Sequence, residues 1–289
     1  MTETILICEP IPEGILTGVY TAYEQKLSPN DTHIQLGEEE NYRLFSEYVQ
    51  VETDREKAEK VDRSLRKRLG NYTVECLWYA MASADKSRGD AVYHTVARGL
   101  AGAYKGELMD YLQDPYVNLT AKLRINVWQE AHRFQGFVRF SELESGILYS
   151  EIEPKNDILP FLGEHFSDRF PGEHFLIRDK KRNLYLIHQA GRGYFLYQQE
   201  AGRERTEVTE QKKQGRENWS VHGGEQQPRV TYPVEEGQQP SLTYSSEEKK
   251  IQELFRCFLH SVSIKERENK KLQQQMLPLR FRGNMVDFF

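Results

Sequence analysis

Hydrophobic and polar positions change period twice along the chain. ETILICEP carries an unbroken apolar run ended by Pro10, which predicts a strand. PEGILTGVYTAYEQKL follows with Ile15, Leu16, Val19, Tyr20 and Tyr23 at helical spacing, and Pro12 suits a first helical turn. THIQLG alternates and predicts a second strand. From Thr53 the spacing is helical as far as Gly136. Thr53 and Glu56 form a T-x-x-E capping box and Gly70 is a stop for the helix they open. YTVECLWYAMASA and DAVYHTVARGLAGAYKGELMDYL predict two more helices, with Gly99, Gly102 and Gly106 marking close packing. Asn118 is placed to cap a fourth helix ending near His132.

From Phe137 the period falls to two. FVRFSEL, ILYSEIEP, HFLIRD, NLYLIHQ and GYFLYQ predict strands. DILPFLGEHFSDRF predicts one helix between the second and third, with Asp157 as its N-cap and Pro171-Gly172 as its stop. DKKRN and AGRG predict hairpin turns. Periodicity is absent over residues 200–247, a polar stretch expected to be a linker. It returns where Ile251, Leu254, Phe255, Phe258, Leu259 and Val262 line one face of a long helix. The expected fold class is α+β: an N-terminal strand-helix segment (1–52), a central helical bundle (53–136) and an antiparallel sheet with one helix (137–199). The polar linker (200–247) and a C-terminal helix with a basic tail (248–289), packed back onto the body, complete one composite domain.

Composition narrows the partners. The 289 residues are 38% hydrophobic and 11% aromatic, enough for a core. With 39 basic against 44 acidic residues the net charge is −5, so a nucleic-acid site has to be a local basic patch. Cys8, Cys76 and Cys257 have neither redox nor metal spacing, which predicts free thiols in a reducing compartment. MTETILICEPIP has no basic n-region, and nothing approaches the ~20 apolar residues of a membrane span. A cytoplasmic protein without membrane contact is expected.

Candidate chemistry is sparse. HRFQGFVRF, His132 to Phe140, partly matches the base-stacking strand of RNA-recognition domains, but Gln135 stands where an aromatic is needed and the segment follows helices. QDPY, Gln113 to Tyr116, resembles the water-activating loop of uracil-DNA glycosylases without its flanking glycine and histidine; a turn between helices explains Asp-Pro. His132, Glu153 and Asp157 are the candidates for acid–base work. Each also has a plain structural role: a helix end for His132, a solvated strand for Glu153 and a cap for Asp157. No His/Cys/Asp run has zinc spacing, and no phosphate-binding glycine loop is present, so neither metal nor cofactor is expected. Local positive charge singles out Arg139, the hairpin Lys180, Lys181 and Arg182, and the tail residues Lys270, Lys271, Arg280 and Arg282 as candidate phosphate contacts. Phe281 between the last two arginines could stack a base.

Three blocks in order carry a resemblance: PEGILTGVYTAYE; EAHRFQGFVRF with GILYSEIEPKNDILPFLGEHFSDRF; and RENKKLQQQMLPLRFRGNMVDFF. Together they resemble a bacterial family of unknown function described as DNA repair or DNA metabolism proteins. Its members are typically encoded beside a radical-SAM protein of DNA modification or repair, and a related domain is fused to uracil-DNA-glycosylase-like domains. The resemblance implies an accessory DNA-repair or DNA-metabolism protein that binds DNA and acts with a radical-SAM partner. It supplies no catalytic residue. The alternatives are an enzyme acting on a damaged or modified nucleobase, through His132, Glu153 and Asp157, and a pure protein-interaction subunit.

Overall fold

β1 (Glu3–Cys8) is apolar without alternation because both of its faces are covered: Ile5, Leu6, Ile7 and Cys8 are all buried. α1 (Pro12–Glu24) crosses over to β2 (Thr32–Leu36), which pairs parallel with β1; β3 (Ser46–Gln50) pairs parallel on β1's other edge. The resulting three-stranded sheet has the order β2-β1-β3. The structure is a computed structural model and describes residues 3–37, 43–102, 104, 106–198 and 243–262, with 269, 271, 275, 277 and 278. Its chain divides into two compact units, Met1–Glu130 with Lys155–Asp157, and Ala131–Pro154 with Ile158–Phe289.

In the first unit α1 lies against α2 (Arg55–Met81), and α3 (Arg88–Ala101) lies against α2 and β2. The N-cap of α2 is Asp54, one residue beyond the expected Thr53: its carboxylate accepts the Lys57 N–H, while the Thr53 hydroxyl turns away to Glu9. Gly70, expected as a stop, is a kink (φ 82°, ψ 161°), a backbone region open chiefly to glycine, and helix resumes directly after it. Buried Asp62 ties the two halves together by accepting from Trp78 Nε1 at 2.8 Å and Arg66 Nε at 2.7 Å. α3 stops earlier than expected, at Gly102 in the left-handed region, and a short 3-10 turn, Leu108–Asp110, follows.

α4 (Pro115–Phe137) starts three residues before the expected Asn118 cap. Asp114 of QDPY accepts from the backbone N–H groups of Tyr116 and Val117 and also pairs with Arg98, so this tetrapeptide is a helix start. At the unit's end Glu130, 4% exposed, accepts from the backbone N–H groups of Lys155 and Asn156 and from the Asn156 side chain. Asn156 in turn accepts from Ala84 N–H.

The second unit begins within α4. The helix runs through Gly136 to Phe137, so the expected turn at Gly136 and the strand Phe137–Phe140 do not form. Phe134 is buried, and Phe140 meets Phe166, Phe170 and Phe175 edge-on: aromatic burial, not a strand period, spaces this segment. Only Ser141–Glu142 is strand (β4). β5 (Leu148–Ile152), α5 (Leu159–Arg169), β6 (Phe175–Asp179), β7 (Leu184–Gln189) and β8 (Gly193–Gln198) follow, in a sheet ordered β4-β5-β6-β7-β8. The α+β class stands, but this sheet is mixed, not antiparallel. β5 and β6 pair parallel, because a helix between adjacent strands makes a crossover. The N-cap of α5 is Ile158, not Asp157, whose backbone N–H instead donates to Ala82.

The chain returns at Tyr244, which bridges to Leu143, and α6 (Ser246–Val262) follows. Gln252 reaches Ser141, but Ile251, Leu254, Phe255 and Phe258 are 41–69% exposed, so the described part of this helix does not bury its apolar stripe as expected. Residues 200–242 of the polar stretch lie outside the described residues. No helix among the described residues is long and apolar enough to cross a membrane.

Two glycine substitutions in the second unit separate helix propensity from packing. Gly136 is helical with open space around its Cα, so Gly136→Ala is expected to stabilise by up to about 0.5–1 kcal/mol. A Cβ on Gly163 of α5 would overlap the Tyr194 ring, so Gly163→Ala is expected to destabilise by about 1–3 kcal/mol. Urea unfolding of each variant measures both. A loss of stability in Gly136→Ala would mean that the chain turns there after all.

Candidate functional site

Strand alternation decides which residues of the mixed sheet meet solvent. On β6, Phe175, Ile177 and Asp179 are buried, as are Leu184, Leu186 and His188 on β7. α5 packs against β7 and β8, and Phe166 of α5 meets Phe175, so this is the dry face. The intervening residues take the other face. In register they pair Glu151 with Arg178, Tyr185 with Tyr197, and Ile187 with Phe195. Most of these side chains are half-buried, and Tyr197 is 48% exposed.

Arg178 lies over the Tyr185 ring, 5.6 Å from its centroid, and the rings of Tyr185 and Tyr197 are 6.2 Å apart. Glu151 accepts from Tyr149 Oη at 2.6 Å and from Arg178 Nη1 at 3.3 Å, and Lys180 Nζ lies 3.4 Å away. Burial pushes the Glu151 carboxyl up, but the Tyr149 hydrogen bond and the charges of Lys180 and Arg178 outweigh it, so it stays below the ordinary glutamate value. Burial, reinforced by the same carboxylate, pushes the Tyr149 hydroxyl up. At this corner of the face two cations share this one carboxylate.

The sequence candidates divide. Lys180 belongs to this corner, and neighbouring Lys181 is exposed on the hairpin. Arg182 turns inward: it donates to the fully buried Asp179 at 2.8 Å and to Pro154 O, while Asp179 also accepts from the backbone N–H groups of Lys181 and Arg182. Arg139 Nη1 donates to the carbonyls of Gly136 and Val138. Lys271 is exposed, and Lys270, Arg280 and Arg282 lie outside the described residues. His132 and Glu153 are exposed in the second unit, and Asp157 belongs to the first. Sequence reasoning missed Arg178, Tyr185 and Tyr197. Their signal was the shared parity in HFLIRD, NLYLIHQ and GYFLYQ, legible only once the dry face is known.

In the first unit His33, Asp90 and His94 form a second cluster. His33 comes from β2; Asp90 and His94 lie one turn apart on α3. His33 Nδ1 is 3.0 and 3.1 Å from the two Asp90 oxygens, Oδ1 of which also accepts the Ile34 N–H. His94 Nε2 lies 3.3 Å from the same Oδ1. The Asp90 hydrogen bond raises the His33 pKa against the opposing effect of burial. Burial pushes the Asp90 carboxyl up, and the His33 hydrogen bond together with the charges of both nearby histidines overcomes it, holding it well below the carboxylate range. The sequence hid this cluster because His33 stands 57 residues before Asp90. Only the Asp-x-x-x-His spacing was visible.

An α+β chain of two compact units, one bearing a half-exposed aromatic and basic sheet face, is the class these observations define. The chain belongs to the DUF4130 family, described as a domain of unknown function, whose model matches residues 86–287. No curated protein matches it. Among solved structures it is similar to a chain described as a DHH domain from a member of the s1p family of ribosomal proteins. The two share 9% identity over 65% of this chain and 74% of that one, with a TM-score of 0.31, a likeness that carries no argument.

The Glu151 network fixes the sign of one pH effect. A carboxyl held below its ordinary value of 4.5 contributes stability above that pH, which is lost as pH falls through the lower folded value. Unfolding titrations between pH 6 and 3 are expected to show Glu151→Gln with a shallower acid loss of stability than the wild type. Identical acid slopes would show that the network does not hold the carboxylate.

Proposed function

We propose that this protein is an accessory factor of DNA repair or DNA metabolism that binds DNA in single-stranded form on the half-exposed face of its mixed sheet and acts with a radical-SAM enzyme. The observation that carries the reading is the Tyr185–Tyr197 pair beside Arg178 and Lys180 on one face. Aromatic rings on a sheet stack successive bases without regard to sequence, because every base has a π-face. Arg178 extends the stacking surface, and Lys180 and Lys181 supply charge for the phosphate backbone. A duplex keeps its bases stacked on one another, so a flat platform favours unpaired strands. The repair context and the radical-SAM partner rest on the resemblance of the three sequence blocks.

Fluorescence anisotropy with labelled oligo-dT across salt concentrations tests the reading. Binding is expected at low salt and to weaken as salt rises. Tyr185→Ala and Tyr197→Ala are each expected to weaken it about 5- to 100-fold. Lys180→Ala is expected to reduce the slope of log affinity against log salt by about 0.7. No binding at low salt, or unchanged affinity in both tyrosine variants, would overturn the proposal. If the chain ignored DNA yet co-purified with the radical-SAM protein after nuclease treatment, it would be an interaction subunit.

A further inference from the structure

Three donor groups of two elements meet in the first unit. α3 approaches β2 closely at Gly89, where an added Cβ would sit 3.0 Å from Ile34 and Leu36 side-chain atoms. That approach brings Asp90 to His33 and to the Ile34 N–H. The i, i+4 spacing on α3 puts His94 on the same helix face as Asp90. His33 Nδ1, an Asp90 oxygen and His94 Nε2 all lie within 4.8 Å of one another.

The arrangement leaves one nitrogen unexplained. The His94 side chain is 10% exposed, and its Nε2 is buried without a hydrogen bond, although it faces Asp90 Oδ1 at 3.3 Å. Alignment, not distance, is what fails. A buried nitrogen that forgoes its hydrogen bond costs about 1–3 kcal/mol, less whatever the misaligned Asp90 contact returns. The ring is not free to turn elsewhere, because Tyr116 stacks on it at 4.0 Å between centroids and 21° between planes, and Tyr93 meets its edge at 5.1 Å. Both histidine nitrogens therefore converge on one carboxylate.

We infer that His33 Nδ1, Asp90 and His94 Nε2 bind one divalent first-row transition ion. Donors about 2.1 Å from a shared ion stand about 3.0–3.4 Å apart in octahedral or tetrahedral geometry. The 3.0 Å and 3.3 Å separations from Asp90 Oδ1 lie in that range. Two neutral imidazoles and one carboxylate are the mixed nitrogen and oxygen set that suits zinc, iron(II), cobalt or manganese. Three protein ligands leave coordination positions open, and the partial exposure of the His33 and Asp90 side chains, 18% and 26%, gives water or a small ligand access to them. Tyr116 is a positioning residue: it fixes the plane of the His94 ring. This site is independent of the sheet face and of the DNA reading.

The test uses the untagged full chain, stripped with chelator and titrated with Co2+ and then Zn2+. One equivalent of Co2+ per chain is expected, with a visible absorption band that Zn2+ abolishes. Asp90→Asn and His94→Ala are each expected to weaken binding by about 100-fold or more, while His132→Ala, at an exposed position, leaves it unchanged. Circular dichroism checks that each variant is folded. A wild-type measurement stands apart from the variants: Co2+ is expected to shift the imidazole proton signals of His33 and His94 and not that of His132. No stoichiometric binding by the wild-type chain, undiminished binding in folded Asp90→Asn and His94→Ala, or unshifted His33 and His94 signals would overturn the inference.

Discussion

Burial of Phe166, Phe175, Ile177 and Leu186 takes one face of the mixed sheet out of water, and that dry face fixes the outlook of the other. A strand sends successive side chains to opposite sides. Once Ile177 and Leu186 are committed inward, Arg178 and Tyr185 have nowhere to go but the other face, and the β7–β8 register sets Tyr197 beside Tyr185. A slip of one residue would bury the arginine and expose the core. Gly163 lets α5 sit against Tyr194 of the outer strand, so the helix that makes the dry face is seated by the same sheet whose other face it defines.

Positive charge in a sequence is not positive charge at a surface. The hairpin at 180–182 is the densest short basic run in the sheet region, yet its members have different roles. Arg182 neutralises Asp179, whose buried carboxylate also gathers the turn's backbone N–H groups. Lys180, though exposed, leans on Glu151 beside Arg178, and Lys181 is exposed on the turn. A buried carboxylate needs such partners, since leaving it unpaired is costly. The hairpin is therefore first a structural device. What it adds to the sheet face is the surplus of cations over the one carboxylate they share.

The two halves of the molecule treat histidine and tyrosine differently. In the sheet unit His188 stacks on Phe175 and bonds a backbone carbonyl, a satisfied core residue. In the first unit His33 and His94 converge on a single aspartate with Tyr116 behind one of them. A histidine's surroundings, not its presence, separate a core residue from a candidate ligand.

Periodicity alone determined most elements. The unbroken ILIC run, the helical spacing after Thr53 and the alternation in HFLIRD, NLYLIHQ and GYFLYQ each predict the element that forms, because local burial pattern and backbone period have to agree. Capping was legible to within a few residues, and it slipped where a neighbouring acid had the better geometry, as Asp54 does beside Thr53 and Asp114 does before Asn118. HRFQGF stayed helical because helix can hold a glycine at modest cost when the flanking aromatics find a core. Strand pairing was not legible, since parallel and antiparallel neighbours share the same alternation, and β3 has too few strongly apolar positions to announce itself. The His33–Asp90–His94 cluster and the face shared by Arg178, Tyr185 and Tyr197 belong wholly to the tertiary structure. Each joins residues from separate elements, and only the packing of α3 on β2 and the cross-strand register bring their side chains within reach.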